Sequence, residues 1–309
     1  MNGPDYIQLY PTMRCDRSCG FCFNRSLHSV RDMTSAEFTA LLAVCGKAGV
    51  RTIDIMGGEP TLHQDIIAFV SAAVSAGFSV NLSSNGTRPD VLDEIMRLGP
   101  RVTVGLSIND DETLLRMRGF IERRQPVVKS LFYSARDAAL MRGILELKPA
   151  KYYLIYCDAL HAAGLLDTVP FDRFLREAER FDPAGATGTV FCSGFLPDTA
   201  THPVLERVRC PAGTTKLGVM PDGSAYPCNL FFGRREFLLG NIFHDSFAHI
   251  WNNALLSFFR EAPANTCPRR TCELHSRCHG GCPAHGFAHT GLLNAPDPRC
   301  SRNAAVREA

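Results

Sequence analysis

Between residues 5 and 193 the chain alternates short apolar runs with longer amphipathic stretches, and this alternation most constrains the fold. The strand-like runs are YIQLYPT, RTIDIM, FSVNLSS, RVTVGLS, KYYLIYC and ATGTVFCS. Between them lie TSAEFTALLAVCGKAG, HQDIIAFVSAAVSAG, RPDVLDEIMRLG, DDETLLRMR, the region of SARDAALMRGILEL, and FDRFLREAERF, all of helical period. Thr34 or Ser35 caps the first of these helices, and Gly46 or Gly49 ends it. Strands and helices at this spacing imply parallel strands joined by crossovers. About six βα units fit, short of the eight of a closed barrel. The expected fold class is therefore α/β: a partial (βα)6 TIM-like barrel, open on one side. The basic stretch RRQPVVK reads as a solvated face.

Beyond residue ~200 the pattern changes. PDTATHP reads as a linker. KLGVMPDGSAYPC reads as a hairpin with Asp222-Gly223 at its turn, and DSFAHIWNNALLSFFREA as one amphipathic helix. From residue 263 the chain is rich in Cys, Pro, Gly and His, with little periodicity. Such a segment buries too little apolar surface to hold itself together, so bound metal is its expected organiser. Two units follow, a barrel over 1–200 and a cysteine-rich domain over 201–309.

The formal charge of +2 over 309 residues gives no nucleic-acid footprint. The N-terminus has no basic region followed by an apolar run, and no stretch approaches the ~18 apolar residues of a membrane span. The expectation is a cytoplasmic protein with neither nucleic acid nor membrane as a partner. In that reducing setting 13 cysteines do not read as a disulfide framework. Three lie at 15–22 and seven between 210 and 300, with Cys45, Cys157 and Cys192 apart. This clustering points to metal.

Cys15, Cys19 and Cys22 form a C-x3-C-x2-C loop just after the first strand, at the mouth where α/β active sites gather. Thiolates select zinc, copper(I) or iron–sulfur clusters. A zinc site here needs a fourth ligand, and His28 is the nearest. A cubane held by three cysteines instead leaves one iron open to a further ligand.

In these residues the chain resembles the radical S-adenosylmethionine (SAM) enzymes, whose signature is this loop, with the aromatic Phe21 before the last cysteine. GGEP (Gly57, Gly58, Glu59, Pro60) follows the second strand, as that family's SAM amino-group motif does. SSNGT at 83–87, with Ser84 and Asn85, is similar to its ribose-contacting segment. VGLSI places Ser107 in the usual polar position, and RMRG places Arg118 where relatives use an arginine on the SAM carboxylate. Gly57 and Gly58 would let the backbone approach a ligand, and Glu59 would accept bonds from its ammonium group. The resemblance implies a SAM-binding [4Fe–4S] cluster on Cys15, Cys19 and Cys22. It also implies cleavage of SAM to methionine and a 5′-deoxyadenosyl radical, and hydrogen abstraction from an unactivated C–H bond.

The later cysteines, Cys210-x17-Cys228 with Gly223 between them, then Cys267-x4-Cys272-x5-Cys278-x3-Cys282 and Cys300, resemble the SPASM extension of such enzymes. That extension carries one or two auxiliary [4Fe–4S] clusters. Its usual spacing of two residues between the third and fourth cysteines is four here. Carried over by position, one auxiliary cluster uses Cys210, Cys228 and Cys282, leaving an open iron, a non-cysteine ligand or the substrate to complete it. The other uses Cys267, Cys272, Cys278 and Cys300. Taken alone, this Cys/His tract also suits zinc; with the front signature, His275, His279, His285 and His289 are read as supporting residues. Where some relatives carry an aspartate after the second SPASM cysteine, this chain has Asn229.

Cys45 reads as core. Cys192, ending the last strand, is the candidate catalytic thiol that returns a hydrogen atom to a substrate radical, as in SPASM-type epimerases; Cys157 is a weaker candidate. The expected activity is epimerisation or dehydrogenation of a natural product, an aminoglycoside-type sugar or short peptide, with flavodoxin or ferredoxin as electron donor. The alternatives are a maturase cross-linking a ribosomal peptide, and a non-catalytic iron–sulfur or zinc module.

Overall fold

The computed structural model describes residues 3–27, 31–133, 138–161, 164–165, 168–181, 187–200, 202–261 and 265–300. His28 lies outside them. Seven parallel strands follow in chain order: β1 (Tyr6–Leu9), β2 (Thr52–Ile55), β3 (Ser79–Ser84), β4 (Val102–Ser107), β5 (Val127–Phe132), β6 (Lys151–Tyr156) and β7 (Thr187–Val190). Helices α1 (Ser35–Lys47), α2 (Ile66–Ser75), α3 (Pro89–Met96), α4 (Asp111–Arg124), α5 (Ala138–Glu146) and α6 (Phe171–Phe181) lie between them. This is the expected α/β partial barrel.

Side chains alternate across each strand. In β1, Ile7 and Leu9 pack outward into the core, while Tyr6 and Gln8 face a central cavity. The outer layer is anchored by α1, which buries Phe38, Leu41, Leu42 and Cys45 on one stripe. The Phe38 ring stacks on Phe69 of α2 at 4.2 Å. A capping box starts α1, with Thr34 receiving the Glu37 N–H and the Glu37 carboxylate receiving that of Thr34.

The sheet continues past the barrel. β8 (Lys216–Val219) pairs in parallel with β1, and β9 (Ser224–Tyr226) and β10 (Gly240–Asn241) follow antiparallel. One ten-stranded sheet results, ordered β10-β9-β8-β1-β2-β3-β4-β5-β6-β7. The β8–β9 hairpin turns at Asp222-Gly223 as expected, with Gly223 at φ +86. The C-terminal segment is tied back to β6 by Arg299. Its guanidinium donates to the Cys157 carbonyl at 2.9 Å, to Asp158 at 3.1 Å and to Asp297 at 2.8 Å, and lies over the Tyr156 ring.

Three expectations change. RRQPVVK is not simply a solvated face: Gln125 ends α4 in the left-handed region, and the next residues become β5, with Val128 buried and Lys129 turned toward the cavity. The side chain of Lys129 lies where Gly105 leaves room, since a Cβ there would meet its Cε at 2.8 Å. The helix read over DSFAHIWNNALLSFFREA divides into α7 (Phe247–Trp251), a 3-10 turn (Ala254–Leu256) and α8 (Ser257–Arg260). Asn253 breaks it, its side chain accepting from Leu255 N and donating to the Leu239 carbonyl. The tail also holds a short helix, α9 (Pro283–Thr290), opened by Pro283 after Cys282. Among the described residues no helix is long and apolar enough to cross a membrane.

Candidate cluster and cofactor site

The loop with Cys15, Cys19 and Cys22 leaves the end of β1 over a fixed base. Thr12 Oγ1 donates to Asp32 at 2.6 Å, and Arg14 donates to Asp32 and to the Leu62 carbonyl. The Cys22 N–H bonds the Cys19 carbonyl at 3.2 Å, closing a tight turn. Arg17 reaches Thr113 at 2.7 Å and Asp110 at 3.4 Å, fastening the loop to the start of α4. All three thiols are partly exposed. Burial pushes the Cys15 and Cys19 thiols up, and each also feels the neighbouring Cys22.

GGEP packs beneath this loop. The Gly58 N–H bonds the Thr12 carbonyl at 3.1 Å and the Glu59 N–H bonds the Arg14 carbonyl at 2.7 Å. A Cβ on Gly57 would lie 2.5 Å from Thr12 O, and one on Gly58 2.2 Å from Arg14 O. Both glycines therefore serve the approach of the cysteine loop itself. Glu59 is fully buried and its carboxylate is already engaged, by Thr61 N and Oγ1, Ser84 Oγ at 2.8 Å and Asn85 N at 2.7 Å. It braces two loops, where the sequence suggested a free acceptor for an ammonium group. Burial raises its pKa, opposed by these bonds. Asn85 in turn donates to Asp16 at 2.9 Å and lies 3.9 Å from Cys15 Sγ.

Of the other residues singled out, Pro60 opens a 3-10 turn (Pro60–Leu62) next to Glu59. Ser107 ends β4 in register with Lys129. Phe21 meets Tyr133 at 6.0 Å, and both line a cavity of about 470 Å³ with Cys22 and Cys157. Arg118 does not join the group: it sits on the outer surface of α4, exposed and paired with Glu122 four residues on.

A second cavity, about 580 Å³, fills the centre of the barrel. Gln8, Asp54, Ser83, Lys129 and Tyr153 line its wall, and Cys192, Cys210, Cys228 and Cys282 gather around it with Lys216. Cys192 lies in the same wall as Cys282, whose thiol is pushed up by its Cys192 neighbour and by burial. The thiol expected from the sequence as a hydrogen donor thus lines the same cavity as Cys210, Cys228 and Cys282. Burial pushes the Cys210 thiol up to about 12 and that of Cys228 to about 11. Asn229 bonds Tyr10 at 3.0 Å.

Cys267, Cys272, Cys278 and Cys300 surround a small cavity with Phe171 and Phe195. Burial pushes Cys278 up to about 11, and its sulfur accepts the Gly280 N–H at 3.3 Å. Three histidines are occupied elsewhere: His285 accepts from Ala159 N at 2.8 Å, His289 meets the Ala159 carbonyl at 2.8 Å, and His279 that of Arg209 at 3.0 Å, while His275 lines this cavity with its Nε2 3.4 Å from the Cys267 carbonyl. Among the described residues no three His, Cys, Asp or Glu side chains converge as for a single ion. Thiols in these numbers are the donor chemistry an iron–sulfur cubane takes, and the front triplet suits one with an open corner.

Residues 9–134 match the Radical SAM superfamily and residues 210–283 an iron–sulfur cluster-binding domain, SPASM. The chain is 27% identical to the PqqA peptide cyclase of Gluconobacter oxydans, over 94% of this chain and 88% of that one. It is 25% identical to the mycofactocin maturase MftC of Mycobacterium ulcerans, over 97% and 88%. Its fold is similar to that of Streptococcus suis SuiB bound to the precursor peptide SuiA, with a TM-score of 0.77 at 17% identity, covering 97% of this chain and 76% of that one. It is also similar to anSMEcpe with bound AdoMet, at 0.69 and 16%, covering 99% and 92%.

Proposed function

The chain belongs to the radical SAM superfamily and carries a C-terminal SPASM domain, and from that premise we propose that it is a maturase acting on a ribosomal peptide. Its cofactors are S-adenosylmethionine, a SAM-binding [4Fe–4S] cluster and auxiliary [4Fe–4S] clusters. When bound, they supply a 5′-deoxyadenosyl radical that removes hydrogen from a C–H bond. Cys15, Cys19 and Cys22 hold the first cluster. The loops braced by Glu59 and Asn85 fix its orientation to the mouth.

The observation that carries the reading is a pair of cavities with Asp158 in the wall of both: one lined by Phe21 and Cys22 of the front loop, the other the central one around which four cysteines gather. Together they give a peptide segment a shielded place near radical source and electron acceptor. Relatives matched along nearly the whole chain, a peptide cyclase and a maturase, favour a peptide over a sugar. A thiolate that ligates a cluster has no hydrogen to give, so grouping Cys192 with the cysteines of the same cavity favours net oxidation or cross-linking over epimerisation. Cys192, Cys210, Cys228 and Cys282 are then ligands of one auxiliary cluster, and Cys267, Cys272, Cys278 and Cys300 of the other.

The test is turnover without oxygen. Reconstituted protein receives dithionite, SAM and, in separate reactions, candidate precursor peptides and aminoglycoside-type sugars. The expected products are 5′-deoxyadenosine and a peptide lighter by two hydrogens or internally linked. A fully loaded protein that leaves the peptides unchanged while altering a sugar, or that releases no 5′-deoxyadenosine, overturns the proposal.

A further inference from the structure

We infer that Lys216 is the charge partner of the auxiliary cluster held by Cys192, Cys210, Cys228 and Cys282, placed to raise the potential at which that cluster takes up an electron. The inference rests on the ligand assignment proposed above. It starts from the backbone. After Cys210 the chain turns back at once: Thr215 N and Lys216 N both bond the Pro211 carbonyl, at 3.0 and 3.1 Å, and Gly213 N bonds the Lys216 carbonyl at 2.9 Å. Lys216 therefore opens β8 one tight turn away from Cys210. Two residues on, along the same face of the strand, Gly218 packs on the other cysteine segment; a Cβ there would meet the Cys228 carbonyl carbon at 2.9 Å. The inner face of β8 thus runs past both cysteines, and the Lys216 side chain lines the cavity with all four thiols.

Its ammonium interacts with Cys228, Cys192 and Cys210, and with Tyr6, its register partner on β1. Lys129, the other lysine of the cavity, is differently placed: it bonds Ser83 and faces Asp54. Reduction of a thiolate-ligated cluster adds one electron and one negative charge. In a poorly screened interior, a fixed neighbouring cation favours the more negative state. Lys216 is a positioning residue for charge, not a group that touches substrate.

The experiment is an EPR-monitored redox titration of the full chain with dithionite as electron source. The background is Cys15→Ala/Cys19→Ala/Cys22→Ala, so that auxiliary signals remain. Lys216→Met and Lys216→Gln are expected to move one midpoint to lower potential and leave the other in place, and Lys216→Arg to restore it. Iron-loaded Met and Gln variants with both midpoints unchanged overturn the inference. Loss of that cluster in both variants overturns it too, in favour of a purely structural role. Whether these thiols hold a cluster at all is read separately, from iron content: Cys210→Ala and Cys228→Ala with undiminished iron overturn the ligand assignment itself.

Discussion

The Glu59 carboxylate accepts the backbone N–H of Asn85 at 2.7 Å, so the two loops that follow β2 and β3 are locked together by one buried side chain. Glu59→Gln keeps the shape but turns one acceptor into a donor facing other donors. The expected cost is about 1–3 kcal/mol, read by urea denaturation. SAM binding to the loaded protein, read by calorimetry, weakens in parallel.

Gly58→Ala sets a methyl group 2.2 Å from Arg14 O, a backbone atom that cannot yield without moving the cysteine loop. The front cluster is expected to be lost, with iron content falling by about four atoms per chain. The auxiliary signals in the EPR spectrum persist. Retention of all iron would show that the loop has another way to pack.

Cys192→Ala and Cys45→Ala make a matched pair. Cys45 is buried among apolar side chains on α1, its thiol pushed up to about 12 by burial. Its replacement leaves the iron content unchanged. Cys192→Ala is expected to alter the EPR signal of one auxiliary cluster or abolish it; an unchanged spectrum returns Cys192 to the role of a free thiol.

Arg299 is almost wholly buried and is shared between Asp297 and Asp158. Arg299→Met strands these carboxylates, and removing one partner of a buried ion pair costs about 3–5 kcal/mol. The chemical-denaturation midpoint drops accordingly. Asp297→Asn alone is milder, because Arg299 keeps Asp158 and the Cys157 carbonyl.

Acid should weaken the start of α1. The Arg31 guanidinium beside Glu37 and the Thr34 N–H hold the Glu37 carboxyl down to about 2, below its usual value. A depressed acid stabilises the fold above its unfolded pKa, about 4.3, and the benefit fades as pH falls toward 2. Urea midpoints of the wild type and Glu37→Gln therefore differ at pH 7 and converge on acidification. Salt shrinks the difference throughout, since Arg31 is largely exposed.

The parallel strands and the front loops were legible because each rests on local pattern: an apolar run, a cap, a glycine pair, three closely spaced cysteines. β5 was not, because Pro126 and Lys129 give VVKSLF the look of a polar connection. Only the cavity, roofed by residues far away in sequence, explains a lysine there. The company Cys192 keeps was not legible for a related reason. Spacing ties Cys267 to Cys272, but nothing local ties Cys192 to Cys282, which share a cavity wall only once the tail folds back. Glu59 was recognised as important, yet its partners, Ser84 and Asn85, lie 25 and 26 residues on, and family likeness suggested a ligand instead. The placement of Arg118 was not legible, because a helix surface offers several arginines, and α4 points this one outward to Glu122.

Because β8 hydrogen-bonds along β1, the first strand of the barrel becomes interior only when the distal third of the polypeptide has arrived. A nascent or truncated chain ending before Lys216 would bare a row of unpaired amides and carbonyls, an invitation to stick to its neighbours. The halves are thus one cooperative object during biosynthesis, and attempts to express the front portion alone should yield aggregates.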